Sequence, residues 1–239
     1  MANKNVKDKD AVLGENLEKT VSSTEQFYNE HKKVIWGVLI ALAVIFLGSI
    51  AWNKFVYQRQ CAEAMEQAFP AETSFRNGEY EVALNGDGNN LGFADIIKNY
   101  GSKAGKSMPF YAGVCELQLG NYDSALSYLK KYKGKEPILA ARAKACMGDA
   151  YVGLGKYSEA VSAYKAAVAE ADNLFAASYL VKEGLALEAL GDKAGALACY
   201  NTVRDSYPQS PEAYEINKYI ARVSEYQWEE RLNSERRER

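Results

Sequence analysis

Leu119-Gly120-Asn121-Tyr122-Asp123-Ser124-Ala125-Leu126-Ser127-Tyr128-Leu129 returns as Leu154-Gly155-Lys156-Tyr157-Ser158-Glu159-Ala160-Val161-Ser162-Ala163-Tyr164. It returns again as Leu190-Gly191-Asp192-Lys193-Ala194-Gly195-Ala196-Leu197-Ala198-Cys199-Tyr200. The leading glycines stand 35 and 36 residues apart, a period that marks stacked helical hairpins. Each Leu-Gly pair reads as a helix end, where glycine takes the positive φ that terminates the helix, and the following Ala lets the next helix pack closely. Gly113, Gly148 and Gly184 recur about two turns earlier and mark a close helix crossing.

The pattern resembles the tetratricopeptide repeat, with Gly148, Tyr151, Gly155, Tyr157, Ala160, Tyr164 and Ala167 the nearest copy. Leu187 and Lys193 in the third copy, and Glu116 in the first, replace aromatic positions. The resemblance implies an all-α solenoid of paired antiparallel helices that binds protein segments along its concave face.

Upstream of the repeats, VIWGVLIALAVIFLGSIAW runs from Val34 to Trp52 without a charge. At 1.5 Å per residue it makes roughly 28 Å of helix, the thickness of a bilayer's hydrocarbon core. Lys32, Lys33, Trp36, Trp52 and Lys54 flank it as interfacial anchors would. Ser49 and Ala51 offer a signal-peptide cleavage pattern, but the preceding 33 residues hold six Lys and six acidic residues, unlike a signal n-region. Arg59 and Gln60 before Cys61 are no lipoprotein box. The expected organisation is an arm at 1–33 with an amphipathic helix through Leu13, Leu17, Val21, Thr24 and Tyr28, and then a transmembrane helix at 34–52. A divergent first hairpin with an inserted loop follows at 53–105, three hairpins at 106–210, and a capping helix with a charged tail at 211–239. Ser210-Pro211-Glu212 starts the cap, with Ile216, Tyr219, Ile220, Val223 and Tyr226 on its apolar face.

The chain has 239 residues and a net charge of −2, and no concentrated basic surface is expected, which argues against a nucleic-acid partner. The one His, His31, precedes the apolar stretch, so the repeats hold no His-based triad or metal site, and neither an enzyme nor a cofactor is expected. In NGDGNNLG, Asn85, Asp87 and Asn89 alternate like calcium ligands, yet Asn90 and Ile96 stand where the turn Gly and the bidentate Glu belong. The segment reads as a structural loop. Cys61, Cys115, Cys146 and Cys199 lack metal spacing and fit either buried thiols or disulfides.

The tetratricopeptide resemblance carries groove positions onto Phe110, Val114, Leu117, Gln118, Arg142, Asp149, Val152, Val181, Leu185 and Glu188. These are mostly apolar, with Arg142 the one cation, so the ligand expected is an apolar segment or helix rather than a terminal carboxylate. The chain's own C-terminal helix is a second candidate occupant, and burial as core is a third reading.

Arm, span and repeats together, with the segment from Ala83 to Tyr122, resemble the YfgM-like membrane-anchored tetratricopeptide proteins of bacterial envelopes, in the form found in Bacteroidetes. That resemblance implies a single-pass anchor in the inner membrane, a cytoplasmic N-terminus and a periplasmic repeat domain. It also implies association with the Sec translocon and a periplasmic chaperone of the PpiD type. The alternative is an assembly or regulatory module of another envelope machine, such as outer-membrane biogenesis or a secretion and gliding apparatus.

Overall fold

The computed structural model describes Tyr28 and residues 30–225, in two units, Met1–Arg59 and Gln60–Arg239. Leu13, Leu17, Val21 and Thr24 of the expected amphipathic arm lie outside the described residues, as do Tyr226 and the charged tail.

The first unit holds the apolar stretch of the one helix among the described residues, Glu30–Arg76, that is long and apolar enough to cross a membrane, and none of its most apolar window is buried. An exposed helix of this composition suits lipid, because its backbone bonds internally and its side chains need no water. Trp36 and Trp52 are exposed near the two ends of the stretch, and the Trp36 indole N–H donates to the Tyr28 hydroxyl at 3.2 Å. A π-helical turn, Asn53–Tyr57, follows the apolar stretch.

The second unit is helical throughout its ordered elements. Helix α1 (Gln58–Arg76) is followed by α2 (Tyr80–Asn85) and α3 (Phe93–Tyr100), then by three long hairpins. These are α4 (Met108–Gln118) with α5 (Tyr122–Leu129), α6 (Pro137–Gly153) with α7 (Tyr157–Glu170), and α8 (Ala176–Ala189) with α9 (Lys193–Ser206). A 3₁₀ turn, Pro211–Tyr214, leads into α10 at residues 216–225, and the Ser210 hydroxyl accepts the Ala213 N–H as a helix-starting cap.

Each repeat phrase builds the same turn. Gly120, Gly155 and Gly191 have φ of 79°, 69° and 80°, where any side chain would be strained. The amide after each glycine bonds back five residues, Asn121 to Glu116, Lys156 to Tyr151 and Asp192 to Leu187, closing a Schellman motif. The Glu79 amide does likewise to Ser74 after Gly78, so the first hairpin keeps the turn even though its sequence has lost most of the phrase.

The small residues two turns earlier are needed for packing. A Cβ on Gly148 would stand 2.5 Å from the Tyr164 ring, one on Gly184 2.4 Å from the Tyr200 ring, and one on Gly113 2.7 Å from Leu129. Tyr164, Tyr200 and Leu129 are the last residues of the three phrases, so each hairpin is locked by one side chain laid onto a bare stretch of backbone. Ala125, Ala160 and Ala196 are fully buried beside them. The first hairpin docks differently, through rings: Phe75 meets Tyr111 at 5.3 Å between centroids, and Phe93 stacks on Tyr111 at 5.6 Å.

Candidate functional site

Between the hairpins α4/α5, α6/α7 and α8/α9 the first helices line a cavity of about 410 Å³. Its walls carry Val114, Leu117 and Gln118 from α4, Ile138, Arg142 and Asp149 from α6, and Phe175, Tyr179 and Lys182 from the start of α8. At its centre the Asp149 carboxylate accepts two hydrogen bonds from the Lys182 ammonium, both at 2.8 Å, and one from the Tyr164 hydroxyl at 2.7 Å. Burial, then the adjacent Asp149 charge, pushes the Tyr164 phenol well above its usual range, so it stays a donor. Arg142 lines the same cavity, is exposed, and has no ion-pair or hydrogen-bond partner among the described residues.

Five of the sequence-derived groove positions meet here: Val114, Leu117, Gln118, Arg142 and Asp149. The others separate. Phe110 is 4% exposed and packs edge-on against Tyr111 and Tyr132, so it presents core rather than a groove wall. Val152 is exposed but absent from the cavity wall, and its neighbour Gly153 is pressed against the Tyr122 ring of the preceding hairpin, where a Cβ would stand 2.4 Å away. Leu185 is exposed outside the cavity. Val181 lines a smaller cavity of about 270 Å³ with Pro211, Glu212, Glu215 and Tyr219 of the cap segment.

Glu188 is engaged by the cap. It accepts from the Tyr200 hydroxyl and from Arg222 of α10, the latter at 2.6 Å, while Tyr219 of α10 lies 5.4 Å from the Tyr200 ring. Ile216 and Val223 of α10 are 1% exposed in the same core cluster as Tyr200. Helix α10 therefore covers the end of the array, and no described residue of it lines the central cavity.

The expectation of an apolar groove with a single cation needs correcting. Lys182 reaches into it from α8, and Arg142, Lys182, Asp149 and Gln118 interrupt the apolar wall. Its position offered no sign of this, because the contact crosses from one repeat to the next and the equivalent residue one period earlier is Cys146.

Glu183, one residue on, is a charged side chain taken into the interior. It is 4% exposed, with the Lys165 ammonium 3.8 Å away and the Cys199 thiol hydrogen-bonded to it. Burial raises its carboxyl above the usual range, against the lowering effect of those two neighbours.

All four cysteines are free thiols. Burial pushes Cys115 and Cys199 up to about 12 and Cys146 up to about 11, so none of the three is a poised nucleophile at neutral pH. In the glycine-rich loop, the Asp87 carboxylate accepts from the Asn89 and Asn90 amides at 2.9 and 2.6 Å and from the Asn90 side chain at 3.0 Å, so it is used up in closing its own turn. Those bonds, the Asn90 amide first, hold it below the usual carboxylate range. Among the described residues no cluster of His, Cys, Asp and Glu is arranged to hold a metal.

Tetratricopeptide-repeat family profiles match residues 108–137 and 147–211. No curated protein matches the chain. A crystal structure of the MamA protein superposes with a TM-score of 0.50 at 18% identity, over 71% of this chain and 88% of that one. A second MamA crystal structure gives 0.48 at 17% identity, over 68% and 96%. At such identity the first likeness speaks to fold alone. The two stretches matched are the hairpins whose glycine-locked turns and open central cavity are described above, and the chain accordingly carries tetratricopeptide repeats within an all-α fold.

Proposed function

We propose that the chain is a membrane-anchored scaffold of the bacterial envelope that holds an extended or helical protein segment in the central cavity. The observation that carries this reading is Arg142, an unpaired cation set among Val114, Leu117, Ile138 and Phe175. Such a wall buries apolar side chains of a ligand while one charge-assisted hydrogen bond fixes its register. The Asp149 and Lys182 pair, held by Tyr164, is already satisfied and acts as the rigid floor.

The apolar helix supports an anchor, and the likeness to YfgM-type proteins gives the finer reading: an inner-membrane, single-pass protein with its repeats in the periplasm, accessory to the Sec translocon and a PpiD-type chaperone. Tethering to the same membrane raises effective concentration, so a scaffold of this kind works without tight pairwise affinity. Purification of the full chain in mild detergent is expected to bring down translocon or chaperone subunits, and Arg142→Glu is expected to weaken that recovery about tenfold. Recovery of outer-membrane assembly or secretion components instead would favour the module of another envelope machine. Recovery unchanged by Arg142→Glu would mean that the cavity does not hold the partner.

A further inference from the structure

The hairpins place their long connections and their tight glycine turns at opposite ends of the helices, so every connection between hairpins emerges on one edge of the array. Contacts join these connections into one edge. Tyr132 packs on Phe110, Ile138 and Phe175 share the central cavity, and the Tyr207 hydroxyl donates to Asp172. The first two connections, residues 101–107 and 130–136, hold Lys103, Lys106, Lys130, Lys131, Lys133 and Lys135 against the single acid Glu136.

Lys103 bonds to Gln60, while the other five lysines are exposed and none of the five has an acidic partner among the described residues. Lys130 and Lys131 lie over the Tyr151 and Tyr128 rings at 5.9 and 5.3 Å, which orders their stems and leaves their charge available. The third connection adds apolar tips, Leu174 at 52% and Phe175 at 57% exposure, with Ile138 at 51% beside them. The fourth turns acidic at Glu212 and Glu215 and bounds the patch. The overall charge of −2 conceals this segregation, and the expectation that no basic surface forms is corrected by it.

We propose that this edge docks on an anionic lipid surface. The lysines supply attraction to phosphate headgroups, and Leu174, Phe175 and Ile138 enter the headgroup boundary. The exposed aliphatic and aromatic tips favour lipid over nucleic acid, whose backbone offers them nothing to enter. A chain that carries its own apolar helix also meets such a surface at high local concentration. Leu174 and the lysines lie outside the cavity, while Phe175 and Ile138 also stand on its wall, so a probe at Leu174 and variants of the lysines read the docking without altering the cavity itself.

The test uses the full chain with Cys61→Ser and Leu174→Cys, labelled with an environment-sensitive nitrobenzoxadiazole dye, in nanodiscs of phosphatidylcholine with or without phosphatidylglycerol. Ser102→Cys, in the first connection, provides a second probe position should the first variant misfold. Emission is expected to move to the blue and brighten with phosphatidylglycerol, and to revert in high salt. Lys131→Glu, Lys133→Glu and Lys135→Glu together should abolish the change, with the docked-to-free ratio falling about fivefold per lysine lost. Identical emission in the two lipids, whether blue-shifted or not, overturns the proposal. A response to an added oligonucleotide with none to phosphatidylglycerol also overturns it, and assigns the lysines to nucleic acid.

Discussion

The junction at Tyr164 and the junction at Tyr200 are built from one plan and end differently. In both, a tyrosine lies on a glycine of its hairpin partner and donates to a carboxylate on that same helix, and a cation from the next element along the stack completes the set. At the first the set is Tyr164, Asp149 and Lys182, the cation coming from α8; at the second it is Tyr200, Glu188 and Arg222, the cation coming from α10. The cap helix thus stands in for the first helix of a further repeat. A solenoid end needs its apolar face covered, and here the cover copies the polar bond of a repeat junction as well as its packing. The hairpin at Leu129 lacks the hydroxyl and makes no such set. Openness follows from what comes next: a full hairpin leaves the 410 Å³ cavity, while the shorter cap segment leaves 270 Å³ and an acidic rim.

The equivalence can be broken most severely at the glycines. Gly148→Ala and Gly184→Ala drive a methyl into a buried tyrosine ring and are each expected to cost about 2–3 kcal/mol by urea denaturation. Gly113→Ala meets the more adaptable Leu129 and should cost less. Equal losses at all three would mean that the rings are not the locks.

Next in size, Tyr164→Phe and Tyr200→Phe are each expected to cost about 1–2 kcal/mol, since each removes a hydrogen bond to a carboxylate. Double-mutant cycles pairing Tyr164→Phe with Lys182→Ala, and Tyr200→Phe with Arg222→Ala, should give couplings of about 0.5–1 kcal/mol. A coupling at Lys182 with none at Arg222 would show that the cap only covers the array.

The smallest effect separates the repeats at one position. Glu183 of the third hairpin falls where the second has Met147. Its folded carboxyl titrates above the unfolded one, so the folded state holds the extra proton. The stability it contributes is complete below the ordinary carboxylate range and is lost as pH rises through the raised value. Glu183→Met should flatten that decline and raise stability at neutral pH by about 1 kcal/mol. A decline of unchanged slope in the variant would place its origin elsewhere.

Much of this was legible in the sequence because the decisive features are local. Gly120, Gly155 and Gly191 announce their turns by residue type, Gly113, Gly148 and Gly184 their crossings, and Val34 to Trp52 its length and lack of charge. What was not legible crosses from one repeat to another. Lys182 acts on Asp149, which lies 33 residues earlier, and a periodic template assigns no such role. Phe110 reads as a groove residue by register but is buried with Leu129, Ala143 and Cys146 and covered by the Tyr132 ring of the connection that follows α5. Glu183 reads as a surface charge until three helices close around it. The lysine edge disappears in a net charge that averages over both ends of every hairpin.

In the proposed function the cavity beside Arg142 is the working face, while the Glu188 junction is closed by the cap. Photocrosslinking of the full chain in its own membrane, with benzoylphenylalanine placed in turn at Gln118 on the cavity wall and at Ser162 on the exposed side of α7, tests it most directly. Protein adducts from Gln118 that Arg142→Glu removes, with none from Ser162, are the expected result. Adducts from Ser162 alone, or adducts from Gln118 that persist in Arg142→Glu, would contradict it.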